Sequence, residues 1–173
     1  MNESIQVRIA LDEVRRIAEL TREARRLELT TLVRLVVPEL LAIPGCGALT
    51  AAKLIGETGG VRRFRSEAAF AMHCGVGPLE VSSGERHRHR LNRNGNRQLN
   101  AALHRVAVTQ KRIHPPAQAF LERKRQEGQG KREALRCLKR HLARVVYKTM
   151  LTIETRQARE MADTTSDAAT VAA

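Results

Sequence analysis

A chain of 173 residues with no Trp, one Tyr and three Phe has almost no aromatic volume with which to fill a core. Its interior must be assembled from Leu, Val, Ile and Ala, which suits packed helices better than the two faces of a β-sandwich. The length is enough for one ordinary domain with helical extensions and a buried core. Apolar residues make up 42% of the chain, which separates it from sequences disordered by composition. The fold class expected is all-α.

Several functional classes are excluded at the same level. The longest apolar stretch, Leu35 to Ile43, is broken by Pro38 and Glu39, far short of the roughly 18 residues a membrane helix needs. The N-terminus is charged and amphipathic and lacks the apolar centre of a signal peptide. Cys46, Cys74 and Cys137 lie far apart without a Cys-x-x-Cys pair. A zinc ribbon and a disulfide scaffold are therefore unexpected, and a reducing cytoplasm is the simplest home.

Charge is distributed unevenly along the chain. Residues 1–40 hold seven basic and seven acidic groups, whereas residues 41–150 hold 22 basic and 7 acidic groups. A positive field confined to one segment points to nucleic-acid phosphates; the plain alternative is a basic surface that serves solubility.

Helical periodicity organises most of the chain. Leu11, Val14, Ala18, Leu20, Ala24 and Leu27 recur at three- and four-residue steps, continued by Leu32, Leu35 and Val36, and predict one helix over 5–37 that Pro38 ends. Such a helix cannot bury its own stripe; it packs on the basic segment or pairs with a second copy as a coiled coil. Ser66 is placed to cap a short helix. Leu99, Leu103, Val106, Ala107 and Ile113 form the stripe of a helix that starts at Gln98 and ends before Pro115-Pro116, and a shorter helix runs near Ala117–Arg125. Gly128 and Gly130 give a polar link, and Leu135, Leu138, Leu142, Val145, Val146 and Met150 predict a last helix over 131–158. The division expected is a connecting helix at 1–37, a helical domain at 38–158 and a disordered tail at 159–173.

Residues 40–59 read as a short helix, a Pro44-Gly45-Cys46-Gly47 turn and a second helix that stops near Gly59. This resembles a helix-hairpin-helix, a module that grips duplex backbones without reading sequence. Gly45 and Gly47 would let backbone N–H groups approach a phosphate, the second helix would add its positive end, and Lys53 a charge one turn on. An ordinary helical turn rich in Pro and Gly is the plain alternative. Arg62, Arg63 and Arg65 follow directly and extend the candidate DNA-binding set.

Residues 73–97 break the helical period. Gly75, Gly77 and Pro78 mark a loop, Asn94-Gly95 marks a turn, and Arg86, Arg88, Arg90, Arg93 and Arg97 fall within twelve residues. Ser83 is the candidate nucleophile and Ser82 its rival. A serine beside guanidinium groups suits attack on a phosphodiester, where positive charge offsets that of the non-bridging oxygens. Read alone, Ser82-Ser83-Gly84 is also ordinary turn composition. His87 and His89 make a poor cation site among arginines, and the scattered carboxylates of residues 41–150 do not suggest a two-metal centre.

The helix-hairpin-helix of residues 43–59, Gly75-Val76-Gly77-Pro78, Ser83-Gly84 and Arg93-Asn94-Gly95-Asn96-Arg97-Gln98-Leu99 occur in that order. Together they resemble the C-terminal transposase domain of the bridge-RNA-guided insertion-sequence transposases, over roughly residues 38–150; the Lys131–Arg140 block is similar to actinobacterial members. The resemblance implies DNA transposition through a serine that attacks DNA and forms a phosphoserine link, which falls on Ser83 or else on Ser82. It further implies an N-terminal RuvC-like domain with an acidic metal-binding quartet that helps bind a guide RNA. That domain is absent from this chain, which reads as truncated, so Mg²⁺ is implied only through the missing part and catalysis by these residues alone is not expected.

Double-stranded DNA is thus the expected partner, with guide RNA left open, and with self-association or pairing with a full-length transposase through the 5–37 helix. Two rivals stay open: a non-catalytic remnant that binds duplex DNA or RNA, and a dimerising regulator of full-length transposase.

Overall fold

The computed structural model describes residues 2–83, 86–92 and 94–171. Helix α1 (Asn2–Val36) carries the predicted stripe, but Val7, Leu11, Val14, Ile17, Leu20, Leu27 and Leu32 stay exposed. Only its last turns enter the core, through half-buried Leu29 and buried Val33. Val37 leaves the helix with φ −144°, as a residue before proline must, and Pro38 then occupies the first turn of α2 (Pro38–Leu41). The turn beyond it leads to α3 (Ala48–Thr58), closed by Gly59 in the left-handed region at φ 59° with its N–H on the Ile55 carbonyl.

A single 3-10 turn at Val61–Arg63 precedes α4 (Glu67–His73). Ser66 caps α4 as its sequence position predicts, its hydroxyl accepting the Ala69 N–H at 3.2 Å. Next comes an antiparallel hairpin, β1 (Pro78–Ser83) and β2 (Arg86–Leu91), paired from Pro78 with Leu91 to Ser83 with Arg86. The sequence reads this stretch as a loop. Strands form instead because six residues on each side pair in continuous register. Helix α5 (Arg97–Ile113), α6 (Pro115–Gln126) and α7 (Lys131–Val171) complete the chain. The last helix thus continues past residue 158 as far as Val171, into the segment that the sequence reads as a disordered tail. Helices dominate and the fold class is all-α, with this one short hairpin among the described residues.

The core sits where α4, α5 and α6 meet α7, with α3 packed on α5. Leu99, Leu103 and Val106 of α5 face Leu138, Leu142 and Val146 of α7, with Ala102, Ala107 and Ala143 permitting close helix approach. Three of the four Phe and Tyr side chains meet at one corner. Phe64 meets Phe70 edge-on at 5.3 Å, Tyr147 lies 5.7 Å from Phe70, and the Tyr147 hydroxyl donates to the Phe64 carbonyl at 3.2 Å.

Candidate nucleic-acid interface

The hairpin projects from a base that two glycines make possible. Gly75 has φ 67°, a conformation costly for other residues, and Gly95 lies directly against it. A Cβ on Gly95 would fall 2.2 Å from both Cα and N of Gly75. Asparagines stitch the two segments together. Asn92 Nδ2 donates to the Met72 carbonyl at 3.0 Å, the Asn96 N–H to the His73 carbonyl at 2.7 Å, and Asn100 Nδ2 to the Cys74 and Gly75 carbonyls at 3.1 and 2.9 Å. Asn96 Oδ1 also caps α5, accepting the N–H groups of Gln98 and Leu99 at 2.8 and 3.0 Å, while its Nδ2 donates to Glu57 Oε2. The Asn-rich stretch therefore fixes where both legs of the hairpin begin.

Six-residue strands rising about 3.3 Å per residue carry Ser83 roughly 17 Å from Pro78. The register sets Ser83 opposite Arg86, Ser82 opposite His87, Val81 opposite Arg88 and Leu79 opposite Arg90. The side chains of Ser82, Ser83, Arg86, Arg88 and Arg90, and the whole of Arg93, lie outside the described residues.

The remaining basic candidates divide between folding contacts and open surface. Gly45, at φ 82°, packs on α5: an added Cβ would meet Thr109 Cβ at 2.9 Å, and Gln110 Nε2 donates to the Pro44 carbonyl at 2.9 Å. Its missing side chain is thus required by the fold itself. Gly47 precedes α3 with open space around its Cα. Lys53 Nζ donates to Gln98 Oε1 at 2.6 Å and ties α3 to the start of α5. Arg62 is engaged with α7, pairing with Glu154 at 3.6 Å and donating to Thr155 Oγ1 at 3.1 Å. Arg63 lies over the Phe64 ring at 4.5 Å and meets His73 Nε2 at 3.2 Å. Burial first, and the Arg63 charge second, hold His73 below the usual histidine value. Arg65 and Arg97 are exposed and make no ion pair among the described residues. The structure therefore gathers Lys53, Arg97 and the hairpin base on one side and directs Arg62 toward α7.

A cavity of about 110 Å³ opens between the Gly75–Pro78 loop and the start of α7. Lys139 lines it and is 7% exposed, with Nζ donating to Asn100 Oδ1. Burial lowers the Lys139 pKa from the ordinary lysine value. Arg136 and Arg140 stand exposed at the same wall. The sequence reading passed over this group, although a signal was present: Lys139 lies four residues from Leu135 and Ala143 and three from Leu142, on the apolar side of the helix. Among the described residues no group of three or more His, Cys, Asp or Glu is placed to hold a metal ion. The cysteines are held protonated, burial pushing Cys46 up to about 11 and Cys74 to about 12. No helix among the described residues is long and apolar enough to cross a membrane.

An all-helical domain with a clamped basic hairpin is the setting in which known proteins can be compared. Residues 37–122 match the Transposase IS116/IS110/IS902 family, so the chain carries a transposase domain of that family, from the entry to α2 into α6. A protein of Streptomyces coelicolor, the insertion element IS110 uncharacterized 43.6 kDa protein, is 32% identical over 111 residues. That alignment covers 64% of this chain, which spans about a quarter, 27%, of the relative's length.

Proposed function

We propose that this chain engages double-stranded DNA during transposition of an insertion sequence and presents Ser83 as the nucleophile. The observation that carries the reading is the hairpin register. Alternate residues of a strand share a face, and directly paired residues lie on the same face. Ser83 thereby belongs to the set of positions that includes Arg86, Arg88 and Arg90, whereas Ser82 belongs with His87 and His89. In the proposed step the Ser83 hydroxyl oxygen bonds to phosphorus and gives up its proton. One P–O ester bond of the DNA breaks, and the departing sugar oxygen takes a proton, leaving a phosphoserine link. The paired arginines offset the charge that gathers on the non-bridging oxygens.

Duplex contact in this reading comes from the N-terminal end of α3 at Gly47, from Arg65, Arg93 and Arg97, and from the hairpin arginines. The helix-hairpin-helix reading of residues 40–59 stands on Gly47 and the free N–H groups of the first turn of α3, with Gly45 assigned to packing.

Ser83→Ala should abolish the covalent protein–DNA adduct on a denaturing gel when the acidic half, guide RNA and target DNA are supplied; Ser82→Ala should keep it. An undiminished adduct from Ser83→Ala refutes the assignment. The exposed stripe of α1 supports a second role, pairing with another copy or with a full-length transposase. Sedimentation of the chain alone and mixed with such a protein tests that role, and a monomer in both samples refutes it.

A further inference from the structure

Among the described residues Lys139 is the only buried charged side chain, and no carboxylate pairs with it. Its ammonium has three N–H groups and makes one hydrogen bond, to Asn100 Oδ1. A buried ammonium left with unused donors is costly unless an anion reaches it. The cavity it lines holds about 110 Å³, several times what a single water requires. Arg136 and Arg140 lie three residues before and one after Lys139, on the same side of α7, and stand exposed at the mouth. Glu133 shares the wall, so the mouth carries three positive groups against one negative. The N–H groups of Gly75, Val76 and Gly77 are already spent on the Met72 and Ala71 carbonyls. The donors this cavity offers are therefore side chains, the three cationic ones with the Gln129 amide beside them.

We propose that the cavity docks one backbone phosphodiester of a DNA strand, a non-bridging oxygen resting on Lys139 Nζ and Arg136 and Arg140 closing on it from the rim. The proposal rests on the DNA-engaging reading above and adds the place where the strand is held. Geometry favours a strand over an isolated anion. The cavity opens at the base of the hairpin, beside Pro78, and B-form DNA presents a phosphate about every 3.4 Å along each strand. A duplex laid along a hairpin of roughly 17 Å would reach this base and the Ser83 end together.

The test is a methylphosphonate scan, in which one DNA linkage at a time is made neutral and binding is measured for the wild type and for Lys139→Met. One linkage, or two adjacent ones, should weaken the wild type and leave Lys139→Met unaffected. The log–log salt slope should also be shallower for Lys139→Met by about 0.9, so a fourfold rise in salt costs the wild type about three- to fourfold more affinity than the variant. Identical interference maps and slopes for the two proteins overturn the cavity assignment while leaving DNA binding intact. A wild-type slope near zero overturns the DNA-engaging reading itself. Interference on an RNA strand but on no DNA strand overturns the occupant named here. If Lys139→Met melts early, the surface variant Arg136→Gln/Arg140→Gln carries the test and must erase the same linkage; failure to do so is also a refutation.

Discussion

Replacing Gly95 by Ala isolates the contact on which the hairpin depends. The added methyl would fall 2.2 Å from Cα and N of Gly75 and 3.0 Å from the Cys74 carbonyl carbon. Ordinary contact begins at 3.4 Å, so the two segments must part by roughly 1.2 Å. All three atoms are backbone, so no side chain can swing aside. The bonds in the path of that displacement are the two from Asn100 Nδ2 and the one from the Asn96 N–H to the His73 carbonyl. Loss of two or three of them at about 1 kcal/mol each gives a cost of about 3 kcal/mol, at the upper end of what overpacking usually causes. For a domain of this size the melting temperature should fall by roughly 6–12 °C. Gly56→Ala is the control, because its Cβ would meet nothing within 4 Å and the position lies inside α3. Helix propensity alone should make that variant more stable by about 1 kcal/mol. Thermal melts followed by circular dichroism decide the matter. If Gly95→Ala melts within a degree of the wild type, the Gly75–Gly95 contact does not hold the hairpin base and the argument fails.

Three further outcomes follow from the same packing. Asn96→Ala removes the cap of α5 and the bond to Glu57 and should cost about 1–2 kcal/mol in urea titration; an unchanged midpoint would contradict the capping role. At pH 8 iodoacetamide should label Cys137 ahead of Cys46 and Cys74 in the folded protein and all three alike in denaturant, because burial pushes the latter two up to about 11 and about 12; mass spectrometry of the labelled peptides reads the order. His73 has a folded pKa below its ordinary 6.5, so the folded state favours the neutral ring. Its contribution is fully present above about pH 6.5 and is lost as pH falls toward the folded value, and His73→Gln should flatten the pH dependence of the melting temperature over that window.

The helices were legible because their apolar residues keep the 3.6 period, as Leu99, Leu103 and Val106 do, and because Pro38 and Pro115 punctuate them. The hairpin was not. Arg86-His87-Arg88-His89-Arg90 offers no apolar face by which a strand is recognised, and pairing with Pro78–Ser83 is a property of two segments at once. The sequence marks Gly45 as a place of close approach, and within the fold Thr109, 64 positions away, makes that approach. Gly75 against Gly95 is hidden for the same reason. The stripe of α1 is plain in the sequence, yet only Leu29 and Val33 near its end reach the core, and which part of a helix finds a partner is not encoded in its local pattern.

Two strands on their own are only marginally stable in water, so the place of Ser83 is set by whatever fastens the hairpin to the helices. Asn100 is the link through which this can be tested apart from folding at large. Its Nδ2 holds the Cys74 and Gly75 carbonyls while its Oδ1 receives Lys139. Asn100→Asp keeps an acceptor for Lys139, now as an ion pair, but sets a carboxylate oxygen against two carbonyls where a donor stood. The α5–α7 contact should survive and the hairpin base should loosen. Because a displacement of about 1 Å at a reacting centre can cost about a hundredfold in rate, adduct formation should fall by that order while DNA affinity changes several-fold at most. A parallel loss of both would mean that Asn100 serves the fold as a whole. Unchanged adduct formation would mean that the hairpin is positioned by the DNA rather than by its own base.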